Sequence, residues 1–120
     1  MAGLRALGKA GEDAAASHLE EKGYRILRRN FRTRSGEIDL VARDGQTIVF
    51  VEVKARTGTR FGLPAEAVGR ARIERLERAG QLFLREIGGA DLPYRIDVVS
   101  VLVSETGEPR HVEHLANVTL

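Results

Sequence analysis

The sequence predicts an α/β domain, a mixed five-stranded sheet flanked by helices in the order α-β-β-β-α-β-β. Three observations carry that reading. Apolar residues recur at helical spacing in two stretches, 4–22 and 65–87. Two β-type runs flank Asp44-Gly45, a pair that favours a tight hairpin because a type I′ turn needs positive φ at both central residues. Residues 93–103 form a near-continuous β-branched run, which suits a central strand covered on both faces. The 120 residues read as one domain, 1–120, with enough chain for a real core.

Each element has its own warrant. In 4–22 the stripe is Leu4, Leu7, Gly11, Ala14, Ala15, His18 and Leu19, and Gly23 is the expected stop. Glu12 sits on or beside that stripe, either as an edge glutamate reaching water or as a functional carboxylate. His18 reads as a packed helix residue. Residues 24–34 form a first strand anchored by Tyr24, Ile26 and Phe31. In 65–87 the stripe is Leu76, Ala79, Gly80, Phe83 and Ile87, and Gly88-Gly89 ends the helix. Asp97 within 93–103 is expected to pair with Arg95 or a neighbouring arginine. The last strand is 111–115, with His111 and His114 expected in solvent.

Composition excludes several chemistries. With no cysteine there are no disulfides, zinc-thiolate sites or thiol nucleophiles. No apolar run reaches the length of a membrane span, and the first residues lack a signal-peptide core, so a cytoplasmic protein with no membrane partner is expected. Net charge is only +2, yet residues 1–36 hold 8 Lys/Arg against 4 Asp/Glu, and residues 91–120 hold 2 against 5. Five arginines in 24–34 serve equally well as phosphate contacts or as charges that protect a strand edge. The loop 55–64 carries Arg56 and Arg60 and is expected to close over a ligand or to be a plain surface connection.

Charges interrupt the hairpin. With Asp44-Gly45 as the two-residue loop, facing residues sum to 89, so Asp39 opposes Phe50 and Glu37 opposes Glu52. Side chains alternate along a strand. Glu37, Asp39, Val41, Ile48, Phe50, Glu52 and Lys54 then share one face, and Ile38, Leu40, Ala42, Thr47, Val49, Val51 and Val53 the other. Asp39 and Glu52 become diagonal neighbours, a gap that suits one divalent cation. Buried charges cost free energy unless paired or bound to metal. Mg²⁺ takes oxygen ligands, commonly one or two carboxylates plus water and phosphate oxygens, and Mn²⁺ can substitute. Lys54, two residues after Glu52, would place a positive charge beside the attacking water and the transition state. The spacing Asp39-x12-Glu52-x-Lys54 thus points to metal-assisted phosphodiester hydrolysis.

The order of elements and this motif resemble the restriction-endonuclease-like superfamily, whose signature is Pro-Asp…(Asp/Glu)-x-Lys. Along nearly the whole chain the sequence resembles the small bacterial YraN family, whose fold is similar to that of Holliday-junction resolvases. The residues that carry this are Gly8-Lys9-Ala10-Gly11-Glu12, Arg29-Asn30-Phe31-Arg32, Gly36-Glu37-Ile38-Asp39-Leu40-Val41, Val49-Phe50-Val51-Glu52-Val53-Lys54-Ala55-Arg56 and Arg95-Ile96-Asp97-Val98-Val99. The resemblance implies a restriction-endonuclease-like fold, a metal site completed by Glu12, and a supporting role for Glu37 beside Asp39. Ile38 stands where the superfamily often has proline. Arg72 stands where the family leads one to expect lysine, and Gly69-Arg70 where Thr-Pro is common.

The resulting expectation is a Mg²⁺-dependent endonuclease acting on DNA rather than RNA, on branched or damaged structures. Asp39, Glu52 and Glu12 would bind metal, and Lys54 would assist the water. Arg25, Arg28, Arg29, Arg32, Arg56, Arg60 and Arg72 would hold phosphates. A homodimer would supply two active sites for cutting both strands. The rival reading is a nucleic-acid-binding module of the same fold without catalysis, and a weaker one is a subunit that binds an acidic protein.

Overall fold

The structure is a computed structural model and describes residues 4–57 and 68–118. Its elements are α1 (Leu4–Glu21), β1 (Arg25–Thr33), β2 (Gly36–Asp44), β3 (Thr47–Thr57), α2 (Arg70–Glu86), β4 (Tyr94–Val103) and β5 (Pro109–Leu115). The expected order α-β-β-β-α-β-β holds. The five strands make one mixed sheet in the order β1-β2-β3-β4-β5. Only β3 and β4 run parallel, because the chain between them crosses over through α2.

The two helices cover opposite faces. Ala15, Ala16 and Leu19 of α1 pack on Leu40, Ala42, Val49, Val51, Val99, Val101 and Val103 of the sheet. Ile73, Leu76 and Phe83 of α2 pack on Phe31, Val41, Ile48, Phe50 and Ile96 of the sheet. With a helix on each side, β4 has no solvent face to alternate against, which is why its sequence is an unbroken apolar run. Gly80 lets α2 close on the sheet, since a Cβ there would overlap the buried Phe50 ring. Both helices end as expected. Gly23 takes φ 92° and Gly88 φ 69°, and the amides of Tyr24 and Gly89 bond back to the carbonyls of Leu19 and Leu84.

Four expectations need correction. Ile87 caps α2 and is 45% exposed, so the buried stripe ends with Phe83 and Leu84. His114 is not in solvent. Its Nε2 donates to Asp97 Oδ2 at 2.7 Å while Lys22 Nζ donates to its Nδ1 at 3.0 Å. The hairpin turn is Gly45-Gln46 rather than Asp44-Gly45, because Asp44 still pairs with Thr47. Only Gly45 of this pair has positive φ (61°), as a type II′ turn requires with glycine first. Moving the turn one residue along leaves the two faces unchanged, but the count now sets Asp39 directly opposite Glu52 rather than diagonal to it.

The fourth correction concerns Ile38, which lies under α2 and not with Leu40 and Ala42. Alternation slips at Asp39. The partner strand slips beside it: Arg29 bonds to α1, whereas Phe31, two residues on, stacks edge-on against Phe83 of α2. Asn30 between them takes a left-handed φ of 53°, which asparagine tolerates better than most residues. The hairpin ladder stops at Leu40–Val51. The sheet therefore has a break where Asn30, Asp39 and Glu52 meet.

Candidate active site

The paired register of β2 and β3 ends at Leu40–Val51, and the Asp39 side chain takes up a β3 amide beyond it. Its Oδ2 accepts the Val53 N–H at 2.8 Å. Burial pushes the Asp39 carboxyl up to about 7, against the lowering effect of that hydrogen bond, and the charges of Glu52 and Glu12 push the same way as burial.

Glu52 is buried on the α2 side, its side chain 5% exposed. Burial alone would raise its pKa. Arg72 reverses this: its Nε donates to Oε2 at 2.7 Å and its Nη2 to Oε1 at 2.8 Å, and these bonds, with help from Asp39 and Lys54, hold the Glu52 carboxyl below its usual value. Arg72 Nη2 also donates to the Glu37 carbonyl at 3.2 Å. A fork of two parallel bonds is among the stronger pairings a carboxylate can have.

Glu12 comes from α1. Gly11 makes that approach possible, because a Cβ there would lie 2.7 Å from Ala55 Cβ of β3. Asn30 Nδ2 donates to Glu12 Oε1 at 3.1 Å, and Arg29 stands 3.8 Å from the same oxygen. Glu12, Asp39 and Lys54 line one cleft of about 330 Å³ with Leu7, Gly8, Val53 and Ala55. Glu12 is shared with a second cleft lined by Lys9, Arg29, Asn30, Arg32 and Glu37.

The structure thus brings Glu12, Asp39 and Lys54 to one cleft and sets Glu52 next to Asp39, turned toward Arg72 of α2. It does not converge three acidic or histidine side chains on one point, as a finished metal cage would, among the described residues. The donor set still suits a hard cation. Asp39 feels the charges of both Glu52 and Glu12, and oxygen donors of this kind are those a hard cation takes.

The predicted phosphate contacts divide. Arg28 bonds Glu86 at 3.2 Å, Arg29 bonds Asp13 at 2.6 Å, and Arg32 lies 3.5 Å from Glu37. Arg72 is the partner of Glu52. Arg25 and Arg56 have no ion-pair partner among the described residues. Arg60, like 58–67 as a whole, lies outside the described residues.

Sequence reasoning missed two contributors. Asn30 holds Glu12, and an asparagine amid arginines in a strand was the available signal. Arg72, expected only as a phosphate contact, bonds Glu52, and the signal was Glu52 itself, a buried charge in need of a cation.

The uncharacterised protein family UPF0102 matches residues 11–101, a span containing Glu12, Asn30, Asp39, Glu52, Lys54 and Arg72. The chain belongs to this family. It is 52% identical over 106 residues to a UPF0102 protein of Symbiobacterium thermophilum, covering 88% of this chain and 90% of that one. A Renibacterium salmoninarum UPF0102 protein is 50% identical over 109 residues, covering 91% and 92%. One from Geobacter sulfurreducens is 44% identical over 111 residues, covering 92% and 86%. No helix of this UPF0102 protein, among the described residues, is long and apolar enough to cross a membrane.

Proposed function

We propose that this UPF0102 protein is a cytoplasmic, metal-dependent nuclease of the restriction-endonuclease-like superfamily that hydrolyses phosphodiester bonds in DNA. The observation that carries the reading is the meeting of Asp39, Glu52, Lys54 and Glu12 at the break in the sheet. A domain with no chemistry to perform gains nothing from three carboxylates there. Asp39 and Glu52 would hold Mg²⁺ or Mn²⁺ with Glu12 beside them. The bound ion would supply a water of lowered pKa and offset phosphate charge. Lys54, lining the same cleft, would keep an ammonium beside the scissile phosphate and stabilise charge that develops there. Asn30 would keep Glu12 aimed at the cleft. Arg25 and Arg56 would take flanking phosphates, contacts that position the strand without reading sequence. Two copies would be needed to cut both strands of a branched substrate symmetrically.

The engagement of both Glu52 oxygens by Arg72 favours a second reading, a nucleic-acid-binding module that does not cleave. One experiment separates the two. The protein is incubated with branched, single-stranded and duplex DNA in Mg²⁺ or Mn²⁺, beside Asp39→Ala. Metal-dependent cleavage that disappears in the variant is the expected result. Cleavage unchanged in the variant would overturn the site. Salt-dependent DNA binding with no turnover would establish the second reading.

A further inference from the structure

Arg72 stands in an unusual place for a phosphate-binding side chain. It comes from the first turn of α2, its side chain is 27% exposed, and both of its bonds to Glu52 are short, 2.7 and 2.8 Å. Together they occupy both oxygens of the carboxylate that a cation would need. Glu52 is too deeply buried to go without a counter-charge, since an unpaired charge at such a site is strongly disfavoured. In the absence of metal, Arg72 is that counter-charge.

A guanidinium fork matches a phosphate as well as it matches a carboxylate. Its partial exposure leaves one side of Arg72 open to a solute. The bond from Nη2 to the Glu37 carbonyl at 3.2 Å ties the group to β2, so that releasing Glu52 need not send it into solvent. The components of an exchange are therefore present: a buried carboxylate, a tethered cation with two kinds of acceptor, and a neighbouring cleft that opens on Asp39 and Lys54.

We infer that Arg72 is an exchangeable counter-charge, which holds Glu52 in the resting protein and passes to a substrate phosphate when a divalent cation takes Glu52. The inference rests on the nuclease reading and adds to it. Cation and nucleic acid then bind together rather than independently, because each removes an obstacle to the other. The cation displaces Arg72 from Glu52, and the phosphate gives Arg72 a new partner. The metal site is held closed until substrate arrives.

Binding measurements on the whole chain test this without recourse to cleavage. Mn²⁺ affinity is measured by calorimetry or water-proton relaxation for wild type, Arg72→Gln, Arg72→Lys and Asp39→Asn, with thermal melts to verify folding. Removing the competitor should tighten Mn²⁺ binding by about tenfold in Arg72→Gln, the equivalent of one charge-assisted bond. Arg72→Lys, which keeps the charge but not the fork, should fall between. Asp39→Asn should weaken binding. In ¹⁵N-labelled wild type, the Arg72 Nε–H resonance should hold still when Mg²⁺ alone is added and shift when Mg²⁺ and a short DNA duplex are added together.

Unchanged or weaker Mn²⁺ affinity in folded Arg72→Gln would overturn the exchange, as would an Arg72 resonance that ignores duplex and Mg²⁺ together. Should Arg72→Gln not fold, Arg72→Lys and the wild-type resonance decide. If Asp39→Asn still weakens Mn²⁺ binding while the Arg72 variants do nothing, the exchange fails and the metal site stands. If no variant alters Mn²⁺ binding, or none is seen even with a short DNA duplex present, the nuclease reading fails with it.

Discussion

The Asp39 carboxylate accepts the Val53 amide at 2.8 Å, filling a place that the broken ladder between β2 and β3 leaves empty. That bond does not offset the cost of the site, because burial beside Glu52 and Glu12 still pushes the carboxyl up to about 7. An acid whose folded pKa lies above its unfolded value destabilises the fold once the pH exceeds that unfolded value. At pH 8 in EDTA, Asp39→Asn should therefore be more stable than wild type, by roughly 1–2 kcal/mol, since the asparagine oxygen can still accept from Val53. Its metal-dependent cleavage should fall to background. A variant that melts lower than wild type would make Asp39 a structural acceptor and nothing more.

Gly11 and Ala55 set how closely α1 lies on β3. A Cβ on Gly11 would sit 2.7 Å from Ala55 Cβ, and neither group is the movable end of a long side chain. Gly11→Ala should cost about 1–3 kcal/mol by overpacking and, by lifting the turn that carries Glu12, should reduce cleavage. Ala55→Gly in the same chain should restore most of both, a coupling that a double-mutant cycle reads directly. Additive effects would mean that the two residues do not limit the approach.

These two contacts mark what the sequence could and could not reveal. Helical stripes, glycine stops, the hairpin and the β-branched run of β4 were legible because each is a local pattern tied to one backbone geometry. The charged residues of the hairpin stood out as a candidate site because charges in apolar strands need partners. The turn position was not, since Asp-Gly and Gly-Gln both satisfy a two-residue loop with different signs of φ. Nor was the slip at Asp39. It depends on Asn30 adopting a left-handed conformation in another strand, and no periodicity within 36–54 reports that. The pairing of Arg72 with Glu52 joins residues twenty positions apart through tertiary packing, so the sequence placed Arg72 among the phosphate contacts and did not reveal its carboxylate partner. His114 was misplaced for a similar reason: Asp97, which buries it, lies on the adjacent strand.

The arginines of β1 are mostly spoken for, which sorts their contributions to nucleic-acid binding. Arg28 and Arg29 already bond Glu86 and Asp13, whereas Arg25 and Arg56 have no such partner among the described residues. A phosphate would have to displace a carboxylate from the first pair but not from the second. Arg25→Ala and Arg56→Ala should each lower the slope of log affinity against log salt by about 1. Arg28→Ala and Arg29→Ala should change it less. Fluorescence anisotropy with a labelled duplex over a salt series measures this, and equal slopes for all four variants would contradict the sorting.

On β4, paired with Val51 of β3, Asp97 governs the acid limb of stability. It is fully buried on β4 and accepts from Arg95 Nε at 3.0 Å, His114 Nε2 at 2.7 Å and the Asn117 amide at 2.9 Å. Burial would raise its pKa, but the bonds from His114, Asn117 and Arg95 prevail and hold it below 3.8. A carboxyl lowered by folding contributes stability that is present above its unfolded pKa and is lost as pH falls through the folded value. Wild type should therefore lose stability steeply below about pH 4, near the reference aspartate pKa. Asp97→Asn should be less stable at pH 7 by about 2–4 kcal/mol, because its amide turns an N–H toward donors that need an acceptor. Its urea midpoint should then change much less between pH 5 and pH 3 than that of wild type, while the exposed Asp91→Asn should follow wild type. An acid limb equally steep in Asp97→Asn would assign the loss to other carboxylates.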